Sequence, residues 1–131
     1  MKEIVHGLGS HFDRYYAPVQ RVDKPWGYEL IYAVTECYCG KRLFVRAGQA
    51  LSLQYHERKD ETLYLEDGMA EVGIGADADS LSTVVVRPGV AFHVKAGTVH
   101  RLRAIKDSVF LEVSTSELDD VVRLEDRYGR V

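Results

Sequence analysis

The sequence predicts an all-β barrel or sandwich, on three observations. Short apolar and aromatic runs recur at intervals of roughly 8 to 12 residues. Clusters of Gly, Asp, Ser and charged residues break them into turns. No helical period of useful length appears before residue 116.

The elements follow in chain order. Residues 1 to 22 mix apolar and charged side chains without a period and are expected to form an arm, with Asp13 to Tyr16 before Pro18 as a short turn or part of that arm. His6 and His11 lie on this irregular stretch and are expected at the surface rather than as ligands. Strands are expected at Tyr28 to Val34 and at Tyr38 to Ala47, where Leu43 and Val45 alternate with polar neighbours, followed by a turn at Arg46 to Gln49. Leu51 to His56 and Thr62 to Leu65 form the next pair, joined by the charged turn Glu57-Arg58-Lys59-Asp60. Glu66-Asp67-Gly68 leads into Ala70 to Ile74, and Gly75 to Ser80 reads as a solvated loop. Leu81 to Val86, Ala91 to Val94, Val99 to Ala104 and Val109 to Val113 complete the set. Ser116 and Asp119 are placed as a helix cap and its partner acid, so the closing segment from 117 to 131 is expected as a short helical turn or an edge segment. Val121, Val122, Leu124 and Tyr128 would anchor it on the body.

Composition narrows the class. A chain of 131 residues, 46% hydrophobic and 28% charged, suits one soluble globular domain. Its net charge of −3, with no basic stripe, argues against nucleic acid. No run approaches the roughly 20 apolar residues of a membrane span, and the first residues lack the apolar core of a secretory signal, so the expectation is a cytoplasmic protein off the membrane. Cys37 and Cys39 are one residue apart on an expected strand, where a disulfide would be strained; buried or half-buried thiols are expected.

The chemistry concentrates between Gly48 and Gly68, in GQALSLQYHERKDETLYLEDG. Gln54 and His56, two apart on a strand, share a face, and Glu61 on the return strand can face them. His100, from the later stretch GVAFHVKAGTVHRLRA, is a fourth group. Histidine, glutamine and carboxylate together make a divalent-metal site, and these donors suit Zn, Mn, Fe, Co or Ni alike. His93, seven residues before His100, falls outside the pattern and is expected in the core or at the rim.

These residues resemble the two motifs of the cupins. Gly48, Gln54, His56, Glu61 and Gly68 match the spacing of the first, with Gln54 in place of its first histidine. Gly89, Gly97 and His100 match the second, with Lys95 in place of a proline and Ala104 in place of an asparagine. Within the cupins the chain is similar to the C-terminal domain of type II mannose-6-phosphate isomerases. That similarity rests on KPWGYE (Lys24 to Glu29), LSLQYH (Leu51 to His56), AGTVHRL (Ala96 to Leu102) and DDVVRLEDRYGR (Asp119 to Arg130), which span nearly the whole chain. The departures are Thr62 and Leu63 for a histidine and tryptophan, Lys59 for an arginine, and Ser114 for a glutamine.

The resemblance implies a single double-stranded β-helix, a jelly-roll barrel over residues 23 to 116, with the arm at 1 to 22 and the segment 117 to 131 packing on it. It implies one divalent metal held by Gln54, His56, Glu61 and His100, and aldose–ketose isomerisation of a sugar phosphate. Glu61, Lys59 and Arg127 are the expected catalytic residues. Arg101 is a further candidate for phosphate or proton handling, Arg123 or Arg127 could reach the cavity mouth, and Glu112 could be a second carboxylate. The partner is a small molecule, and a homodimer is expected from the exposed strand edges and the arm. Two other readings stay open: another cupin enzyme, such as an epimerase or dioxygenase, or a non-catalytic sugar-binding cupin.

Overall fold

The computed structural model describes residues 9 to 131. His6 therefore lies outside the described residues. A single helical turn, α1 (Gly9–Phe12), precedes eleven strands: β1 (Gln20–Lys24), β2 (Gly27–Val34), β3 (Cys39–Val45), β4 (Leu53–Tyr55), β5 (Glu61–Asp67), β6 (Ala70–Gly75), β7 (Ser82–Val86), β8 (Ala91–Val94), β9 (Val99–Ala104), β10 (Ser108–Ser114) and β11 (Val122–Glu125). They form two antiparallel sheets, one ordered β1-β2-β3-β10-β5-β8 and the other β11-β4-β9-β6-β7. The sheets face each other as an all-β jelly roll. No helix among the described residues is long and apolar enough to cross a membrane.

Alternation along each strand sends one set of side chains between the sheets, and that set changes character part-way along. On β5 the inward series is Glu61, Leu63, Leu65; on β3 it is Lys41, Leu43, Val45; on β9 it is His100, Leu102, Ala104, all buried. On β10 it runs the other way, Phe110 then Glu112, as antiparallel pairing requires. One end of the barrel is therefore closed by hydrocarbon, with Leu65, Val45 and Phe110 fully buried. The other end collects the buried ionisable groups Glu29, Lys41, Glu61, His100 and Glu112 from β2, β3, β5, β9 and β10.

One strand lies where the sequence suggested none, and another settles an alternative the sequence left open. Gln20–Lys24 pairs along its whole length with β2, so the expected border between arm and barrel, at residues 22 and 23, falls inside β1. Val122–Glu125 pairs with β4, so the closing segment takes the edge-strand alternative rather than the helical one. The Ser116 hydroxyl bonds the Glu36 carbonyl instead of capping a helix. The expected strand Leu51 to His56 is shorter, Leu53–Tyr55, because residues 48 to 51 bond back onto β9 through loop hydrogen bonds. Cys39 is buried, but Cys37 is exposed in the bend between β2 and β3, where Thr35 Oγ1 accepts its backbone N–H at 3.1 Å. His11 is exposed and edge-on to Tyr15.

The glycines that bound the first motif both hold positive φ, +82° at Gly48 and +99° at Gly68, but their surroundings differ. A Cβ on Gly48 would meet nothing within 4 Å, whereas one on Gly68 would lie 2.3 Å from the Asp107 carbonyl oxygen. Gly48→Ala should cost about 1–2 kcal/mol, the left-handed penalty alone. Gly68→Ala should cost measurably more, because backbone must also move. Equal losses of stability on chemical denaturation would refute this account.

Candidate metal centre

At the ionisable end, three strands and one loop converge. His56 leaves the end of β4, Glu61 opens β5, and His100 follows the turn into β9. Gln54 is the cross-strand partner of His100, and Arg123 on β11 is the partner of Gln54, so the three form one row across the second sheet. His56, Glu61 and His100 are all buried, and their ligand atoms lie within 4.8 Å of one another. Glu61 Oε1 stands 3.5 Å from the Nε2 of each histidine.

Both imidazoles are oriented from behind. His56 Nδ1 bonds the Asp120 carbonyl, and His100 Nδ1 bonds the Thr98 carbonyl at 3.0 Å. A carbonyl only accepts, so each Nδ1 carries a proton and each Nε2 is the ring atom turned to the centre, as a metal ligand requires. The buried His56 Nε2 makes no hydrogen bond. That orphaned donor atom, beside a second imidazole and an anionic oxygen, fits a divalent ion with ligand bonds of about 2.0–2.2 Å. The Gln54 amide donates toward His100 Nε2 at 3.4 Å while its oxygen takes the Ser52 hydroxyl at 2.7 Å. A half-turn of the amide exchanges the two atoms and turns the oxygen to the centre.

Glu61 has a second partner. Its Oε2 takes the Lys59 ammonium at 3.0 Å, and the same ammonium reaches Glu112 at 3.1 Å. Lys59 is only 5% exposed, so it is no surface charge of the turn but the centre of a buried carboxylate–ammonium–carboxylate bridge. Burial works to lower its pKa, but Glu112 and Glu61 outweigh this and hold it well above the ordinary lysine range. Burial likewise opposes the charge on Glu61, yet the imidazoles of His100 and His56 and the Lys59 ammonium hold its carboxyl far below the ordinary carboxylate range. Lys59 is thus a donor and not a proton acceptor.

Other expected site residues lie elsewhere. Arg127 does not line the main cavity. It follows the end of β11 on the outer side, where it donates to the Gly48 carbonyl and borders a separate depression with Arg101 and Arg103. Arg130 faces the cavity instead, held by a two-point contact to Asp126 at 2.8 and 2.9 Å. Arg101 and Arg123 also line the cavity, which encloses about 510 Å³. His93 is exposed on β8 and paired with Asp60, so it is not a core residue. Glu112 is 5% exposed and inward, which alternation in Phe110-Leu111-Glu112-Val113 alone left open.

Asp120 is the residue that sequence reading passed over. Its carboxylate accepts the backbone N–H groups of Glu57 at 3.0 Å, Arg58 at 2.7 Å and Lys59 at 2.8 Å, while its carbonyl orients His56. The turn between two ligands is therefore fixed by the closing segment. Bonds from Glu57 and Arg58, then Lys59, lower the Asp120 carboxyl to about 2. A folded pKa below the ordinary value of about 3.8 adds stability that is complete above pH 4 and is lost as the pH falls through about 2. Asp120→Asn should flatten the acid limb of the stability curve between those values. It should also weaken divalent-metal affinity by about 10- to 100-fold, the usual effect of losing an outer partner of a ligand. Equilibrium dialysis showing unchanged affinity would refute the clamp.

Comparison with known proteins agrees with this geometry. The family model described as mannose-6-phosphate isomerase C-terminal matches residues 13–126. The chain is 32% identical over 123 residues to mannose-1-phosphate guanylyltransferase ManC of Salmonella typhimurium, covering 86% of this chain and 23% of that protein. It is 32% identical over 145 aligned positions to the mannose-1-phosphate guanylyltransferase of Escherichia coli K12, covering 100% of this chain and 27% of that protein. The chain thus spans about a quarter of the length of these relatives. Among solved structures, the capsular polysaccharide assembling protein CapF from Staphylococcus aureus superposes with a TM-score of 0.73 at 14% identity, over 87% of this chain and 34% of that one, a likeness of fold. With the match to the family model covering most of its length, the chain belongs to the mannose-6-phosphate isomerase C-terminal family, a branch of the cupins.

Proposed function

We propose that this domain is a metal-dependent aldose–ketose isomerase acting on a sugar phosphate of the mannose 6-phosphate type. His56, Glu61 and His100 hold the metal, and Gln54 is the fourth protein ligand. The observation that carries the reading is the Lys59 bridge, which sets a second buried carboxylate, Glu112, beside the metal centre in the same cavity. A bound divalent ion supplies Lewis-acid polarisation of the vicinal C1 and C2 oxygens.

The remaining work falls to the chain's own groups. Glu61, tied to the imidazoles, serves as ligand and not as base, which revises its expected catalytic part. Glu112 is free of the histidines and takes the proton from C2 and returns it to C1. Lys59 donates hydrogen bonds to the substrate oxygens, and the hydroxyl proton passes directly between the vicinal oxygens from O2 to O1, so that no atom is gained or lost. Arg127, outside the cavity, takes no part. Leu63, Phe92 and Trp26 line the apolar side of the same cavity and exclude water from the reacting carbons. The guanylyl transfer named for the longer relatives is not carried over to a chain that spans about a quarter of them.

Elemental analysis of protein purified without chelator, with an isomerase assay on mannose 6-phosphate and fructose 6-phosphate, tests the reading. One equivalent of metal and turnover are expected. His56→Ala should lose both. Glu112→Gln should keep the metal, with folding checked by circular dichroism, while kcat falls by about 100-fold or more, the scale of a lost general base. Metal without turnover on either sugar would sink the isomerase assignment and leave a sugar-binding cupin.

A further inference from the structure

The cavity holds a second ionic group that the proton transfer does not use. Glu29 on β2 is 8% exposed and lies under two ammonium groups, Lys41 Nζ at 3.5 Å and Lys24 Nζ at 3.9 Å. Both distances exceed the roughly 2.7–2.9 Å of a well-made charge-assisted bond. Lys59, by contrast, closes on its two carboxylates at 3.0 and 3.1 Å. Lys41 is 7% exposed, and among the described residues its one ion-pair partner is this loosely held Glu29. Two ammoniums against one carboxylate leave positive charge in excess on a sheltered wall, a costly state unless an anion completes it. All three side chains line the cavity.

We infer that Lys24, Glu29 and Lys41 form the subsite for the anionic end of the substrate, the two ammoniums taking phosphate oxygens while Glu29 holds them in place. The inference rests on the isomerase reading for the rest of the substrate. Lys41 lies directly across from Glu112 in the β3–β10 pair, and Glu61 stands on β5, one strand beyond β10. Glu61 pairs with Ser114, two residues along from Glu112, so two strand spacings and that offset set Lys41 and Glu61 about 12 Å apart between Cα atoms, a span that a six-carbon sugar with its C1–C2 bond at the metal and a phosphate on its last carbon bridges together with the inward side chains. Arg123, one strand from Gln54, lies on the opposite wall and is the rival anchor; its Nε is buried without a partner.

Calorimetric titration of inorganic phosphate into the full chain as purified, at low ionic strength, reads this subsite without turnover. Lys41→Met and Lys24→Met should each weaken binding about tenfold or more, the loss of one charge-assisted bond. Lys41→Arg should retain most of the affinity, and Arg127→Gln all of it. Chelator treatment should leave the lysine dependence in place. If Lys41→Met does not fold by circular dichroism, Lys24→Met on the more exposed partner decides. Wild-type affinity in the folded lysine variants, loss confined to Arg123→Gln, or no phosphate binding at all would overturn the inference. Lysine-dependent phosphate binding without isomerase turnover would instead sink the catalytic assignment and leave the subsite standing.

Discussion

The structure depends on one buried anion. Glu61 is 4% exposed, and a carboxylate so placed is tolerated only where opposite charge and donors surround it. Two imidazoles stand against one oxygen and an ammonium against the other. Each compensating group then makes its own demand. Lys59 brings in Glu112, the histidines need carbonyls behind them, and the turn that carries Lys59 inward needs its backbone N–H groups satisfied by Asp120. The candidate metal centre, the cavity floor and the docking of the closing segment are successive consequences of that one burial.

Such a network is affordable because the barrel interior is divided. The apolar end, around Phe110, Leu65 and Val45, carries the hydrophobic stabilisation, and the buried Ser108 hydroxyl there is satisfied by the Met69 and Lys106 carbonyls. The ionisable end contributes little net stability, since desolvation offsets most of the attraction between its charges. Function and stability thus sit at opposite ends of the same strands. The change of character is staggered across the first sheet: Lys41 pairs with Glu112, Glu112 pairs with Leu63, and Glu61 lies two residues further along, opposite Ser114.

The closing segment is the least obvious part of the design. Its edge strand β11 extends the second sheet, its Asp120 fixes the ligand turn, and Tyr128 bonds Gln49 at 2.6 Å near the start of the first motif. A stretch that reads as a half-charged tail is bound at three separate levels. Backbone pairing, one charged side chain, Asp120, and one aromatic hydroxyl, Tyr128, bind it.

Alternation along each strand and the spacing of Gln54, His56, Glu61 and His100 between turn glycines were legible in the sequence, because a period of two and a turn conformation are local properties. Both fix the all-β class and bring the ligand types to one face. Long-range charge pairing is not local. Whether Lys59 turns outward or in depends on Glu112, far away in sequence on β10, and the side taken by Arg127 or Arg130 depends on where β11 ends and on the contact to Asp126. Gln20–Lys24 and Val122–Glu125 become strands only because β2 and β4 offer unpaired edges. The sequence by itself determined the barrel and its ligand row; the tertiary structure decided which charges are buried, since the compensation of a buried charge comes from partners that only folding brings near.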